Sequence, residues 1–111
     1  MTHFLFAVYV DDARVPMSAE RQRQAWDDTG AFNDRMRELG AFVYANGLQQ
    51  AGNIVDATTD QVVVTPGLYI SGPQRLGGFW ILDFPDEQTA LRYAEEAAIA
   101  CNEPVEVRAF H

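Results

Sequence analysis

The stretch from Val62 to Phe84, reading VVVTPGLYISGPQRLGGFWILDF, limits what this chain can fold into more than any other. Val62-Val63-Val64 is β-branched and too short for a helix. Phe79-Trp80-Ile81-Leu82 is apolar at every position and follows the pair Gly77-Gly78, so both runs read as strands. A strand that is apolar on both faces has to be covered on both faces. Between the two runs, Pro66, Gly67, Gly72 and Pro73 forbid a helix and interrupt strand pairing, which predicts a shaped loop carrying Leu68, Tyr69, Ile70 and Ser71. Apolar and aromatic side chains on such a loop either close over a pocket or press against a partner.

The rest of the chain supplies a sheet and two helices to go with it. Phe4 to Val10 is aromatic and β-branched and predicts a central strand ended by Asp11-Asp12. Ser18 is a good helix N-cap, and Trp26, Thr29, Phe32 or Asn33, Met36 and Leu39 recur at helical spacing as a core-facing stripe, which Gly40 terminates. Ala41 to Ala45 predicts a second strand, interrupted by Asn46-Gly47. Signals from Gln49 to Asp60 are weak and fit an irregular excursion or a minor hairpin around Ile54-Val55. After Phe84, Pro85-Asp86 stops the strand and caps a helix whose apolar face is Ala90, Leu91, Ala94, Ala97 and Ala98. From Pro104 to Phe110, Val105, Val107 and Ala109 alternate with Glu106 and Arg108 as a last strand.

Strand, helix, strand, strand, helix, strand is the ferredoxin-like βαββαβ plan, an α+β fold with an antiparallel four-stranded sheet. Residues 1–111 fit one such domain. Two helices cover one face of the sheet only. The other face would still carry apolar residues of the first and third strands, so a second copy laid sheet against sheet is the expected cover, burying about 1,200 Å² or more in total.

Composition narrows the chemistry. A net charge of −8 argues against nucleic acid or an anionic membrane as partner. No run reaches the roughly 20 apolar residues of a membrane span, and no secretion signal is visible, so a cytoplasmic protein is expected. All eight basic residues are arginine, which excludes lysine Schiff-base chemistry. Cys101 is the one cysteine, expected as a small buried thiol, and no metal site or cofactor is expected from one cysteine and two near-terminal histidines.

The opening strand FLFAVYVDD, the helix segment TGAFNDRMRELG, the Gly47-Leu48-Gln49 triplet and above all VTPGLYISGPQRLGGFWILDF resemble the YCII-related proteins, specifically their DGPF-type branch. The resemblance implies a dimeric α+β barrel, in a superfamily that includes enzymes acting on small ring compounds. It also marks departures. Pro66 stands where the family motif has Asp, Leu68-Tyr69 where it has Pro-Phe, and Pro73-Gln74 where it has Lys-Glu. The other YCII branch places a histidine on its first helix for a His–Asp pair, and the nearest position here is Thr29.

Two constellations remain as sites. His3, Asp83 and His111 are brought toward one sheet edge by the plan, too close to the termini to predict metal binding. Tyr9, Asn46, Tyr69, Ser71, Arg75 and Trp80 combine aromatic walls with few polar groups, the composition of a small-molecule pocket. The expected function is a homodimer that binds a small aromatic or anionic molecule. Alternatives are an enzyme on a ring compound using Asp11, Asp12 or Asp83 as general base, and a regulatory interaction module.

Overall fold

Phe4 and Phe6 on the first strand, β1 (Thr2–Asp11), are buried, and Val8 packs against them, while Leu5 and Tyr9 turn the other way. That alternation sets the two faces of the whole sheet. The computed structural model, which describes residues 1–111, continues with α1 (Ala19–Glu38), β2 (Phe42–Gly47), β3 (Asn53–Asp56), β4 (Val63–Pro66), β5 (Gln74–Phe84), α2 (Glu87–Cys101) and β6 (Val105–Ala109). The main sheet is four-stranded and antiparallel, in the order β2-β5-β1-β6, and β3 pairs with β4 as a separate two-stranded hairpin. An α+β fold with two helices on one sheet is therefore what the chain forms, and its strand order is compatible with the ferredoxin-like plan.

The helices start and stop where local chemistry requires it. The Ser18 hydroxyl accepts from the Arg21 N–H at 3.1 Å, and Asp86 accepts from the Thr89 N–H at 2.7 Å. That backbone bond, with the Thr89 hydroxyl beside it, holds the Asp86 carboxyl below the usual carboxylate range. Its capping contribution is present above the ordinary aspartate pKa and is lost as pH falls through the lowered one. At the far end of α1, Gly40 adopts φ +73°. Its N–H donates to the Arg37 carbonyl and that of Ala41 to the Met36 carbonyl, a Schellman closure that a side chain at position 40 would strain.

The core joins Phe4, Phe6, Trp80, Leu82 and Phe84 of the sheet to Phe32 and Met36 of α1 and to Ala90, Ala94, Ala97 and Ala100 of α2. Alanines let α2 lie close on the strands, and the Phe84 and Tyr93 rings stack at 5.1 Å with 3° between planes. Each large side chain buried here contributes about 1.5–3 kcal/mol.

Several expectations need correction. The buried face of α1 is Ala25, Phe32 and Met36; Trp26 is 68% exposed, and Leu39, at the cap, is also exposed. On α2, Leu91 is exposed and Ala100 takes the fourth core position instead. Val63 and Val64 are extended as their β-branching dictates, but they belong to the hairpin, where every residue of β4 is exposed, and Val62 lies just ahead of it. Four residues cut off from β5 by the loop that holds Gly67, Gly72 and Pro73 have no large sheet to join. The third long strand begins at Gln74 rather than Phe79, because Gln74 and Arg75 pair with Asp11 and Val10. The glycine pair is therefore inside a strand, not ahead of it.

The hairpin stands away from the body. The radius of gyration is 16.0 Å, against about 13 Å for a compact chain of this size, and the molecule is 48 Å long and 18 Å thick. No helix is long and apolar enough to cross a membrane.

Candidate functional site

The register of β5 against β1 jumps between Val8, opposite Gly78, and Tyr9, opposite Leu76, which leaves Gly77 as the extra residue of a β-bulge. The bulge brings Gly77 and Gly78 together into the floor of a cleft on the helix-covered side of the sheet. A Cβ on Gly78 would lie 2.9 Å from the Asn46 carbonyl oxygen and 3.1 Å from the Gly47 Cα; one on Gly77 would lie 2.4 Å from the Val10 Cγ2. Only glycine permits this close approach of β2 and β5.

Above that floor is a space of about 510 Å³, within the range of small-molecule sites. Gln22, Ala25, Trp26, Thr29 and Asn33 of α1 form one wall, Ala45 and Asn46 of β2 another, and Trp80 the inner end. Cys101 and Glu103, around the turn after α2, close the far side. The Trp80 indole N–H donates to the Asn33 side-chain oxygen at 2.6 Å, and Phe32 meets the same indole edge-on at 5.3 Å, so both Trp80 and the Asn33 carboxamide are held in place.

Glu103 is the one carboxylate in the lining. Its Oε1 accepts from Arg14 Nη2 at 3.1 Å, and its buried Oε2 has no hydrogen-bond partner within the protein. No arginine lines the space.

Burial pushes the Cys101 thiol up from its ordinary value, which depletes the reactive thiolate. Native protein at pH 8 should therefore be alkylated at Cys101 on the order of tenfold more slowly than the denatured chain, with the two rates compared by mass spectrometry. Equal rates would show an open, ordinary thiol.

The six residues expected to form one pocket are dispersed. Asn46 and Trp80 line the cleft. Tyr9 lies on the opposite face, its hydroxyl donating to Glu106 at 3.2 Å; partial burial and that hydrogen bond push the phenol pKa up. Tyr69 is 78% exposed and Ser71 is also exposed, both on the loop beyond the hairpin and away from the cleft. Arg75, expected on that loop as a free donor fork, is a strand residue whose Nε and Nη2 bond both oxygens of Asp12, at 3.2 and 3.3 Å. Its fork is already occupied.

The candidate bases fare similarly. Asp12 holds Arg75, Asp11 accepts from the Ala13 N–H at 2.9 Å, and Asp83 Oδ1 lies 3.3 Å from His3 Nδ1, at ion-pair range without hydrogen-bond alignment. None of the three lines the cleft. The strand register does set His3 opposite Asp83, and the Phe110 N–H bonds the His3 carbonyl, so the C-terminal end lies at that edge; no three His, Cys, Asp or Glu side chains converge into a metal-holding group.

Sequence reasoning missed Gln22, Thr29, Asn33 and Glu103 as lining. A signal was present in α1, where Gln22, Trp26, Thr29 and Asn33 recur at i, i+4, i+7 and i+11, a polar and aromatic stripe beside the apolar one.

No family model matches the chain, and no curated protein matches it in sequence. Among solved structures it is similar to an amidase of the hydantoinase/carbamoylase family from Burkholderia multivorans, at 13% identity and a TM-score of 0.30. The match covers 99% of this chain and 26% of that one, so this chain spans about a quarter of the amidase's length. A likeness of that degree carries no argument for fold or function.

Proposed function

We propose that the protein is a homodimer of the YCII-related, DGPF-type kind that binds a small ring-bearing molecule in the cleft between α1 and the glycine floor. The cleft carries the reading. It pairs two indoles with a carboxamide held by one of them, and Thr29, the position the resemblance aligns with the other branch's helix histidine, lies in its wall. Binding without catalysis is favoured over the enzyme alternative because Asp11, Asp12 and Asp83 are all outside the cleft and its one carboxylate already holds Arg14.

The sheet face opposite the helices supports the dimer reading. Leu5 pairs with Ile81, Ala7 with Phe79 and Tyr9 with Leu76, and the Tyr44 ring lies 6.0 Å from that of Phe79. Neither helix packs on this face, whose apolar area suits a second copy of itself.

Binding is tested by recording side-chain N–H resonances while titrating small aromatic compounds. The Trp80 indole and Asn33 carboxamide signals are expected to shift together, and Trp26→Ala should weaken binding. If no ring compound at millimolar concentration moves either signal, the cleft reading fails. The regulatory-module reading would then gain, since Val55, Val62, Val63, Val64 and Ile70 on the projecting arm are exposed without a partner in the chain.

A further inference from the structure

We infer that the segment from Asp12 to Ser18, which joins β1 to α1, is a strap across one end of the cleft, and that the ion pair of Arg14 with Glu103 is the latch that keeps that end shut. As a control on ligand entry the strap rests on the small-molecule reading of the cleft, while its opening is read without a ligand.

The segment is fixed at both ends and loose between them. The Asp12 N–H donates to the Pro73 carbonyl at 2.8 Å and its carboxylate holds Arg75, while Ser18 caps α1. Val15 is 90% exposed, and no hydrogen bond joins Val15, Pro16 or Met17 to the rest of the chain. Only Arg14 reaches across. Its Nη2 donates to the Asn102 carbonyl and to Glu103 Oε1, both at 3.1 Å, on the turn that follows α2. The latch lies on the boundary of two spaces. Met17, Cys101 and Glu103 line the cleft on one side, and Arg14 lines a smaller space of about 250 Å³ with Tyr9, Asp11, Gln74 and Pro104 on the other; Val10 lines both. With the pair broken, nothing ties the middle of the strap to the turn, and the cleft gains an opening beside Cys101. Arg14 is the only hydrogen-bond donor to the Glu103 carboxylate, which is 12% exposed, so the shut position is the favoured one. The Arg14 side chain is 46% exposed and stays hydrated when it lets go, so the latch can release without unfolding the chain.

The test uses Cys101 as the reporter, alkylated in the native protein by iodoacetamide, an uncharged reagent. Arg14→Ala should raise the rate about fivefold, as the open population grows. Removing a cation near the thiol would by itself slow the reaction, so electrostatics cannot imitate the effect. Arg14→Lys keeps one charged donor and should react close to the parent rate. Sodium chloride at about 0.5 M should speed the parent, because a half-exposed ion pair weakens with ionic strength, and should do much less to Arg14→Ala. Should Arg14→Ala fail to fold, the salt response is compared between the parent and Arg14→Lys, which should share it. Rates unmoved by both Arg14→Ala and salt overturn the strap, as does a gain no larger than the variant's loss of overall stability explains. Either result leaves the cleft reading standing, since the Trp80 and Asn33 signals report binding independently. A strap that opens in a protein whose Trp80 and Asn33 signals no ring compound moves removes the cleft reading alone.

Discussion

Gly78→Val is expected to cost the fold about 3 kcal/mol, at the upper end of what overpacking takes from a well-packed site. The obstacle is backbone. A Cβ there meets the Asn46 carbonyl oxygen at 2.9 Å and the Gly47 Cα at 3.1 Å, atoms that belong to the strand paired with β5 and cannot rotate away. Against a total stability of about 5–15 kcal/mol for a single domain, the loss should be plain in chemical denaturation. Gly77→Ala supplies the contrast. Its nearest obstacle is the Val10 side chain, at 2.4 Å to Cγ2, so Val10→Ala in the same molecule should restore much of what Gly77→Ala loses. The same second change should do nothing for Gly78→Val. A Gly78→Val protein within about 0.5 kcal/mol of the parent would mean that the two strands do not approach as described.

Ile81→Asp is expected to halve the particle mass. Ile81 lies mid-strand on the face away from the helices, opposite both Leu5 and Tyr44, so in the proposed dimer a carboxylate there would be desolvated without a partner. In the separated chain the same side chain is only half-buried, and helix content should survive. Light scattering should give two chains for the parent and one for the variant. A parent of single-chain mass removes the dimer, and a variant that stays dimeric moves the interface elsewhere. Trp80→Asp cannot make this distinction. Trp80 points to the helices against Phe32 and Asn33, so a charge there unfolds the chain whatever its oligomeric state.

The elements of this fold could be read from residues whose roles are local. Ser18, Gly40 and Asp86 mark helix ends through hydrogen bonds spanning a few residues, and the alternation of Val105, Glu106, Val107 and Arg108 describes a strand without reference to the rest of the chain. The start of β5 was hidden because Gln74 and Arg75 are polar and Gly77-Gly78 suggests a break. What makes them strand is their pairing with β1, more than sixty residues earlier. The cleft was harder to see for another reason. It exists where side chains are missing, at Gly77, Gly78, Ala25 and Ala45, while a search for chemistry looks for side chains that are present. That search collected Tyr69, Ser71 and Arg75, which the Pro-Gly loop and the Asp12 ion pair keep elsewhere.

Both tryptophans of the chain line the cleft, one largely exposed at its rim and the other buried at its inner end with its N–H on Asn33. The tryptophan fluorescence of this protein therefore originates at the cleft alone. Trp26 supplies the long-wavelength, quencher-accessible part of the emission and Trp80 the short-wavelength, protected part. A molecule entering from solvent passes one chromophore before it reaches the other, and the order in which the two bands respond gives the direction of entry without any label.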